Sequence, residues 1–333
     1  MTSRTDDGTA ADETSSGAAS TAHRGPAAYR DLRAELAALT TEAFRPELSE
    51  IDRLPTLEIA KIMNGEDATV PSAVAAQLPR IAAAIDDIAA RMSRGGRLVY
   101  AGAGTAGRLG ILDASECPPT FNTDPSEVVG LIAGGPRAMV TSIEGAEDSS
   151  ELAAADLDGL GLTADDVVVG ISASGRTPYA IGAVEHARAR GALTIGLSCN
   201  ADSALAAAAD HGIEIVVGPE LLTGSTRLKA GTAQKLVLNM LSTITMIRLG
   251  KTYGNLMVDV RASNDKLRAR SRHIVALATG ASDDQIEAAL TAADGEVKTA
   301  ILILLADIDA PTATHLLTNA GGHLRMAINA ADA

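Results

Sequence analysis

Two stretches decide the fold. One is Leu98-Val99-Tyr100-Ala101-Gly102-Ala103-Gly104-Thr105-Ala106-Gly107-Arg108. The other is Val167-Val168-Val169-Gly170-Ile171-Ser172-Ala173-Ser174-Gly175-Arg176-Thr177-Pro178. Each begins as a short apolar run, turns through glycines and hydroxyls, and passes into a helical pattern. A run that is apolar at every residue, rather than at alternate ones, is a strand covered on both faces. The spacing predicts strands over Arg97–Ala101 and Val167–Ile171, with helices from about Ala106 and over Tyr179–Arg190. The alternation continues with a strand at Val128–Ala133 ended by Gly134-Gly135, a strand at Leu193–Ser198, a helix at Ser203–Asp210 and a strand at Ile213–Val217. Strands and helices in this order define an α/β fold, a parallel sheet of about five strands flanked by helices.

Upstream, Val74, Leu78, Ile81, Ile85, Ile88 and Met92 recur at steps of four and three, one apolar face of a helix predicted over Pro71–Met92. Downstream, Thr232–Leu249 reads as a long, mostly apolar helix. From Arg270 the pattern changes to short helices at His273–Leu277, Asp283–Ala292, Val297–Leu305 and Ala310–Ala320. Residues 270–333 are therefore expected to form a small C-terminal helical (UBA-like) subdomain, and 41–269 the sheet domain with its N-terminal helices. Residues 1–40 form a tail: Met1–Pro26 has almost no large apolar residue and is expected to be disordered, and Tyr29–Leu39 reads as a short helix.

The 333 residues include 28 Lys+Arg against 42 Asp+Glu, a formal net charge of -14, which disfavours polyphosphate backbones and anionic lipid surfaces. With no Trp, two Phe and four Tyr, the core must be aliphatic and the stacking platforms of single-strand nucleic-acid binders are absent. Two cysteines, Cys117 and Cys199, make neither a disulfide framework nor a zinc cluster, and the six His show no metal-ligand spacing. No apolar run reaches the ~18 residues of a membrane span, and the N-terminus has no signal-peptide core. The expectation is a cytoplasmic chain with no metal, nucleic-acid or membrane partner, acting on a small molecule.

Three loops carry the chemistry. In the first, Gly104, Thr105 and Arg108 sit where a strand opens into a helix, so backbone N–H groups and the helix dipole favour an anion. Its Gly-x-Gly-x-x-Gly spacing also fits a dinucleotide turn, but the acidic residue that reading needs should end the next strand, and Glu127 precedes it. In the second, Ser172, Ser174, Gly175, Arg176 and Thr177 suit a phosphate. The plainer reading is N-capping by Ser174 or Thr177 with Pro178 at the first helical position, and both can hold. The third runs from Thr223 to Thr232, with Ser225, Arg227 and Lys229 as candidate ligands, or a polar loop with caps. Arg176, Arg227 and Lys229 are candidate anion partners or ordinary ion pairs.

The strand–Ser-Gly-Arg-Thr–helix pattern resembles the sugar isomerase (SIS) domain, which binds phosphosugars. Longer strings are similar to the N-acetylmuramic acid 6-phosphate etherase family. These are Ile51 to Glu58, Leu109-Gly110-Ile111-Leu112-Asp113-Ala114-Ser115-Glu116-Cys117-Pro118-Pro119, Glu144-Gly145-Ala146-Glu147-Asp148, Lys229 to Lys235, and Gly254 to Val260. The likeness runs from about Thr41 to the C-terminus. The related glucokinase regulatory protein shares the layout as a larger, non-catalytic sensor. The resemblance implies removal of the D-lactyl ether from N-acetylmuramate 6-phosphate by a cytoplasmic homodimer without metal or cofactor, in recycling of cell-wall amino sugar. It places the catalytic acid on Glu116 and a second essential carboxylate on Glu147. The chain departs from the family at Ala106, usually Ser, at Ser172, usually Ala, and after Thr41-Glu42, where an Asn is often found.

Local sequence suggests roles. Glu116 is read as the end of the helix opened by the first loop, where the negative helix end favours a protonated acid. Glu147 is read as near a helix start, where the ionised form of a base is favoured. The plainer readings are a Glu116 that caps or pairs near Pro118-Pro119, oriented by Asp113, and a solvated Glu147. Thr141-x-x-Glu144 fits a capping box, so Glu144 is read as structural. Cys117 has no His nearby in sequence to activate it. Two rivals remain: a phosphosugar sensor without turnover, and an aldose–ketose phosphosugar isomerase that releases no lactate.

Overall fold

The computed structural model describes residues 26–260 and 265–332. The disorder expected of Met1–Pro26 falls outside that range, save Pro26. Helix α1 (Pro26–Ala37) lies in a first unit, and Leu39–Ala333 forms a second, compact one. Within the second, α2 (Thr56–Asp67), α3 (Val70–Ala75) and α4 (Leu78–Met92) lead into a five-stranded sheet. The single helix expected over Pro71–Met92 is broken between α3 and α4. Pro79 has no N–H to give the carbonyl of Ala75, and its ring crowds the preceding turn, so the chain restarts there with Pro79 in the first turn of α4.

The strands are β1 (Leu98–Gly102), β2 (Val128–Ile132), β3 (Val167–Ile171), β4 (Leu193–Ser198) and β5 (His211–Glu214), all parallel, in the order β2-β1-β3-β4-β5. Every residue of β1, β3 and β4 is buried, which is why these runs are mostly apolar without alternation, with Thr194 and Ser198 the buried polar exceptions in β4. The last strand begins two residues earlier than expected, because His211 is already in register with Ile195.

Helices α5 (Gly104–Phe121) and α9 (Lys229–Arg248) pack with α4 on one face of the sheet. Helices α6 (Ser150–Gly159) and α7 (Pro178–Ala189) cover the other, and α8 (Ala204–Ala208) lies against α7. The chain thus leaves β1 in one direction toward β2 and returns to β3 on the other side. That makes β1/β3 the switch point, where ligands of open α/β sheets bind at the carboxyl ends of the strands. Buried Asp166 locks the opposite ends of these strands, accepting from the Arg97 backbone N–H (2.8 Å), its Nη2 (2.7 Å) and the Thr163 N–H (2.7 Å).

After α9 comes a hairpin absent from the sequence reading, β6 (Thr252–Tyr253) and β7 (Leu256–Met257), turned by Gly254 at φ +57° and Asn255. Then follow α10 (Asp265–Thr279), α11 (Asp283–Ala292), α12 (Val297–Ala306), α13 (Ala310–Asn319) and α14 (Leu324–Ala331), around an aliphatic core of their own. Helix α10 starts before the expected boundary at 269/270, and α14 was not foreseen. No single helix among the described residues is long and apolar enough to cross a membrane.

Candidate functional site

The first two loops meet at the carboxyl ends of β1 and β3. Gly104 has φ +54°, a left-handed turn that an L side chain resists. Gly107 is a close-approach glycine: a Cβ there would lie 2.6 Å from the Gly102 carbonyl oxygen. Helix α5 starts with Ala103 at its N-cap, so no side chain occupies its first N–H groups.

The second loop is held by its own hydroxyls. Ser172 Oγ lies 2.7 Å from Thr177 Oγ1 and 3.2 Å from Ser174 Oγ, and it accepts from the Gly175 N–H at 3.0 Å. Gly175 has φ +69°, and a Cβ there would lie 2.4 Å from Ser203 Cβ. Pro178 opens α7 as expected. Thr177 is the N-cap residue, but its hydroxyl turns to Ser172 and caps nothing. The α7 N-terminus is therefore uncapped by either Ser174 or Thr177, leaving N–H groups that an anion could take.

The third loop behaves differently. Fully buried Glu220 accepts from the N–H groups of Lys229 (3.0 Å) and Ala230 (3.0 Å), which is why α9 begins earlier than the expected Thr232. This carboxylate occupies the anion site of α9. The Lys229 ammonium is also buried and donates to Glu66 at 2.7 Å, with Arg45 on the other Glu66 oxygen. Burial opposes the Glu66 charge, yet Lys229 and Arg45 outweigh it and hold the carboxyl below its ordinary range. Lys229 is thus turned away from the loops, leaving Ser225 and exposed Arg227 from this segment. Arg108 commits its Nε to the Met139 carbonyl (3.1 Å), bracing the turn after β2.

Sequence reasoning missed the clasp that gathers the loops. Asn200, at the end of β4, donates from Nδ2 to the Ala173 carbonyl (3.0 Å). Its Oδ1 accepts from the Thr40 N–H (2.8 Å) and hydroxyl (2.9 Å). The Gly224 N–H in turn reaches the Thr41 carbonyl, and Gly231 would place a Cβ 3.5 Å from Thr105 Cγ2. A polar residue just past an apolar strand was the available signal.

The two carboxylates stand elsewhere. Helix α5 does not end at Glu116 but continues through Pro118 and Pro119 to Phe121, so Glu116 sits more than a turn before the helix end and is exposed. It lines a cavity of about 350 Å³ with Asn239, Thr243, Ile247, Thr252, Asn255 and others. Asp113 does not orient the Glu116 side chain. It accepts from Tyr100 Oη (2.8 Å), Asn239 Nδ2 (2.6 Å) and Ser242 Oγ (3.2 Å), fastening α5 to β1 and α9. Burial, and then the Asp113 charge, push the Tyr100 hydroxyl well above its usual range and the Cys117 thiol up to about 12. Cys117 is therefore a neutral thiol, not a nucleophile.

Glu147 lies in a single turn, Ala146–Asp148, after β2 and ahead of α6, whose N–H at Leu152 is capped by Ser149 (3.1 Å). The capping box expected at Thr141–Glu144 is not formed. That stretch is not helical, and Glu144 instead accepts from Ser142 Oγ. Helix α5 packs on one face of the sheet, whereas Ala146, beside Glu147, packs against the cluster on the other. Glu116 is also twelve residues down α5 from Gly104, about 18 Å at the helical rise of ~1.5 Å per residue. One chain brings the first two phosphate-type loops together and carries Glu116 at the other end of α5.

This architecture, with its glycine and hydroxyl loops at a β1/β3 switch point, defines a SIS-domain protein. Residues 80–188 match the glucokinase regulatory protein N-terminal SIS domain, and 139–244 match the SIS domain. The chain is 83% identical over 91% of its length, and 97% of the relative's, to N-acetylmuramic acid 6-phosphate etherase of Streptomyces avermitilis. It is 56% identical over 89% of its length, and 99% of the relative's, to that of Mycolicibacterium smegmatis. It belongs to the N-acetylmuramic acid 6-phosphate etherase family. Among solved structures, a phosphoheptose isomerase from Francisella tularensis superposes with a TM-score of 0.43 at 21% identity, covering 58% of this chain and all of that one.

Proposed function

We propose that the chain cleaves the D-lactyl ether of N-acetylmuramic acid 6-phosphate, giving N-acetylglucosamine 6-phosphate and D-lactate, in recycling of cell-wall amino sugar. The observation that carries this reading is 83% identity to an etherase of that name across nearly the whole chain. The site chemistry agrees with it. The open N-termini of α5 and α7, with Gly104, Thr105, Ser172, Ser174, Gly175, Arg176 and Thr177, suit the 6-phosphate. Ser225 and Arg227 complete the rim, while Lys229 acts through Glu66 on the loop's shape.

An ether oxygen leaves poorly at neutral pH. Once the sugar ring opens, its aldehyde makes the C2 proton acidic. Glu147 takes that proton, Glu116 protonates the C3 oxygen as lactate departs, and water adds across the unsaturated aldehyde. Each step is a proton transfer or a hydration that two carboxylates can carry, each worth roughly 10²–10⁴-fold. Neither carboxylate has a hydrogen-bond or ionic partner among the described residues, as groups kept for a substrate require.

The active form in this reading is a homodimer in which Glu116 of one copy serves the loops of the other. Two features support it. The carboxylates lie apart within one chain, and α2 buries none of its residues while Phe44, Leu54, Leu57 and Met63 around it stand exposed. A cytoplasmic location suits the two free, buried thiols.

The test is D-lactate release from N-acetylmuramic acid 6-phosphate in heavy-oxygen water. Label at C3 of the product sugar is expected. Label in the lactate would mean cleavage on the lactyl side and would overturn the elimination. Tight phosphosugar binding without lactate would make the chain a sensor.

A further inference from the structure

The string Gly254-Asn255-Leu256-Met257-Val258-Asp259-Val260 matched the family without a role. In the structure it forms the hairpin turn, β7 and the strap that follows, and, with Thr252 of β6, it walls the Glu116 cavity through Gly254, Asn255 and Met257. Its other side belongs to the C-terminal helices. Val258 and Val260 are buried in their core. Asp259 pairs with Lys298 of α12 at 2.9 Å and with Lys251 at 3.5 Å. The Arg325 guanidinium of α14 stacks 4.9 Å from the Tyr253 ring centroid. Gly250, at φ +74°, lets His323 so close that a Cβ would lie 2.8 Å from the imidazole.

Among the polar groups lining the cavity, three are committed and one on the hairpin is not. Asp113, Asn239 and Ser242 are engaged with one another. Asn255 is exposed at the turn and has no partner among the described residues, so its amide has donors and an acceptor to offer. Gly254 takes the positive φ that the first position of a two-residue hairpin turn demands, which fixes where that amide stands.

We propose that the C-terminal helices are the positioning element of the Glu116 cavity, and that Asn255, on the hairpin they grip, contacts the lactyl-ether side of the phosphosugar. The inference rests on the etherase reading. The phosphate loops lie at the far end of α5, so the hairpin acts on turnover and not on anchoring of the phosphate.

The experiment compares kcat for D-lactate release with the Kd for N-acetylglucosamine 6-phosphate, the wild-type chain being measured first. N255A is expected to lose roughly tenfold or more in kcat, the scale of a displaced reacting group, with Kd unchanged. K298M and R325A, folded by circular dichroism, are expected to lose several-fold in kcat alone, and K298R to recover most of it. Wild-type kcat in N255A would overturn the substrate contact, and wild-type kcat in both K298M and R325A the positioning role. Parallel loss of kcat and binding would also overturn it, as general damage to the fold. A wild-type chain that releases no lactate refutes the reaction itself, which separates the two failures.

Discussion

If the site is shared between two copies, two dead variants should repair each other. E116Q removes the proposed acid and E147Q the proposed base, each keeping the shape of the side chain it replaces. Each parent should lose at least a hundredfold in lactate release, since one placed acid or base contributes roughly 10²–10⁴. The structure sets what a mixed dimer does. Glu116 is about 18 Å along α5 from Gly104, so in the proposed dimer a site pairs Glu116 of one copy with Glu147 of the other. In a heterodimer of E116Q with E147Q, one site then carries both substitutions and the other carries neither. Co-expression with two different affinity tags isolates that species. It should run at about half the wild-type rate per dimer, the value for one intact site of two related by a two-fold axis. The recovery must depend on assembly, and mixing the pure parents without subunit exchange should give none. A heterodimer as inactive as its parents would refute the reasoning, because it would mean each site draws both carboxylates from one chain or that the chain works alone.

Other expectations follow from particular contacts. G175A forces a Cβ into 2.4 Å contact with Ser203 Cβ at φ +69°, and should lower the melting temperature and weaken phosphosugar binding at least tenfold, read by calorimetry. K229M leaves Glu66 paired with Arg45 alone and should cost about 1.5 kcal/mol in urea unfolding, the scale of one hydrogen bond to a charged group, since the carboxylate keeps a partner. For Asp166, burial opposes the charge, but Arg97 and the Thr163 N–H overcome it and hold the carboxyl below its ordinary 3.8. Its contribution to stability is therefore complete above the unfolded value and fades as pH falls through the lower folded one. D166N should flatten that acid limb in urea titrations from pH 6 to 2, and an unchanged slope would contradict the lock. Cys117 and Cys199, both buried with thiols pushed up to about 12, should react with Ellman's reagent at pH 8 only at the rate of global unfolding.

What the sequence made legible is what is local. A strand buried on both faces must be apolar at each residue, so Val167–Ile171 announces itself. A left-handed turn next to a close approach requires glycine, so Gly104 and Gly175 mark their loops. What it hid depends on partners distant in the chain. Lys229 looks like a phosphate ligand, and only folding shows that Glu66, 163 residues away in sequence, holds it. Helix α9 looks free at its N-terminus until Glu220 is seen there. Pro118-Pro119 reads as a helix end, yet α5 continues through both. Pro118 frees only the carbonyl of Ala114 and Pro119 that of Ser115, and the helix closes instead on Asn122 in the left-handed conformation, whose N–H returns to the Pro118 carbonyl. That continuation has a functional consequence. Because α5 does not stop at Glu116, the proposed acid is carried on helix fastened by Asp113 to β1 and α9 rather than on a helix end. The same fastening holds it about 18 Å along α5 from Gly104, at the far end of the helix from the first loop. In the proposed dimer, a second copy answers this by bringing its own loops to the Glu116 that the helix holds in place.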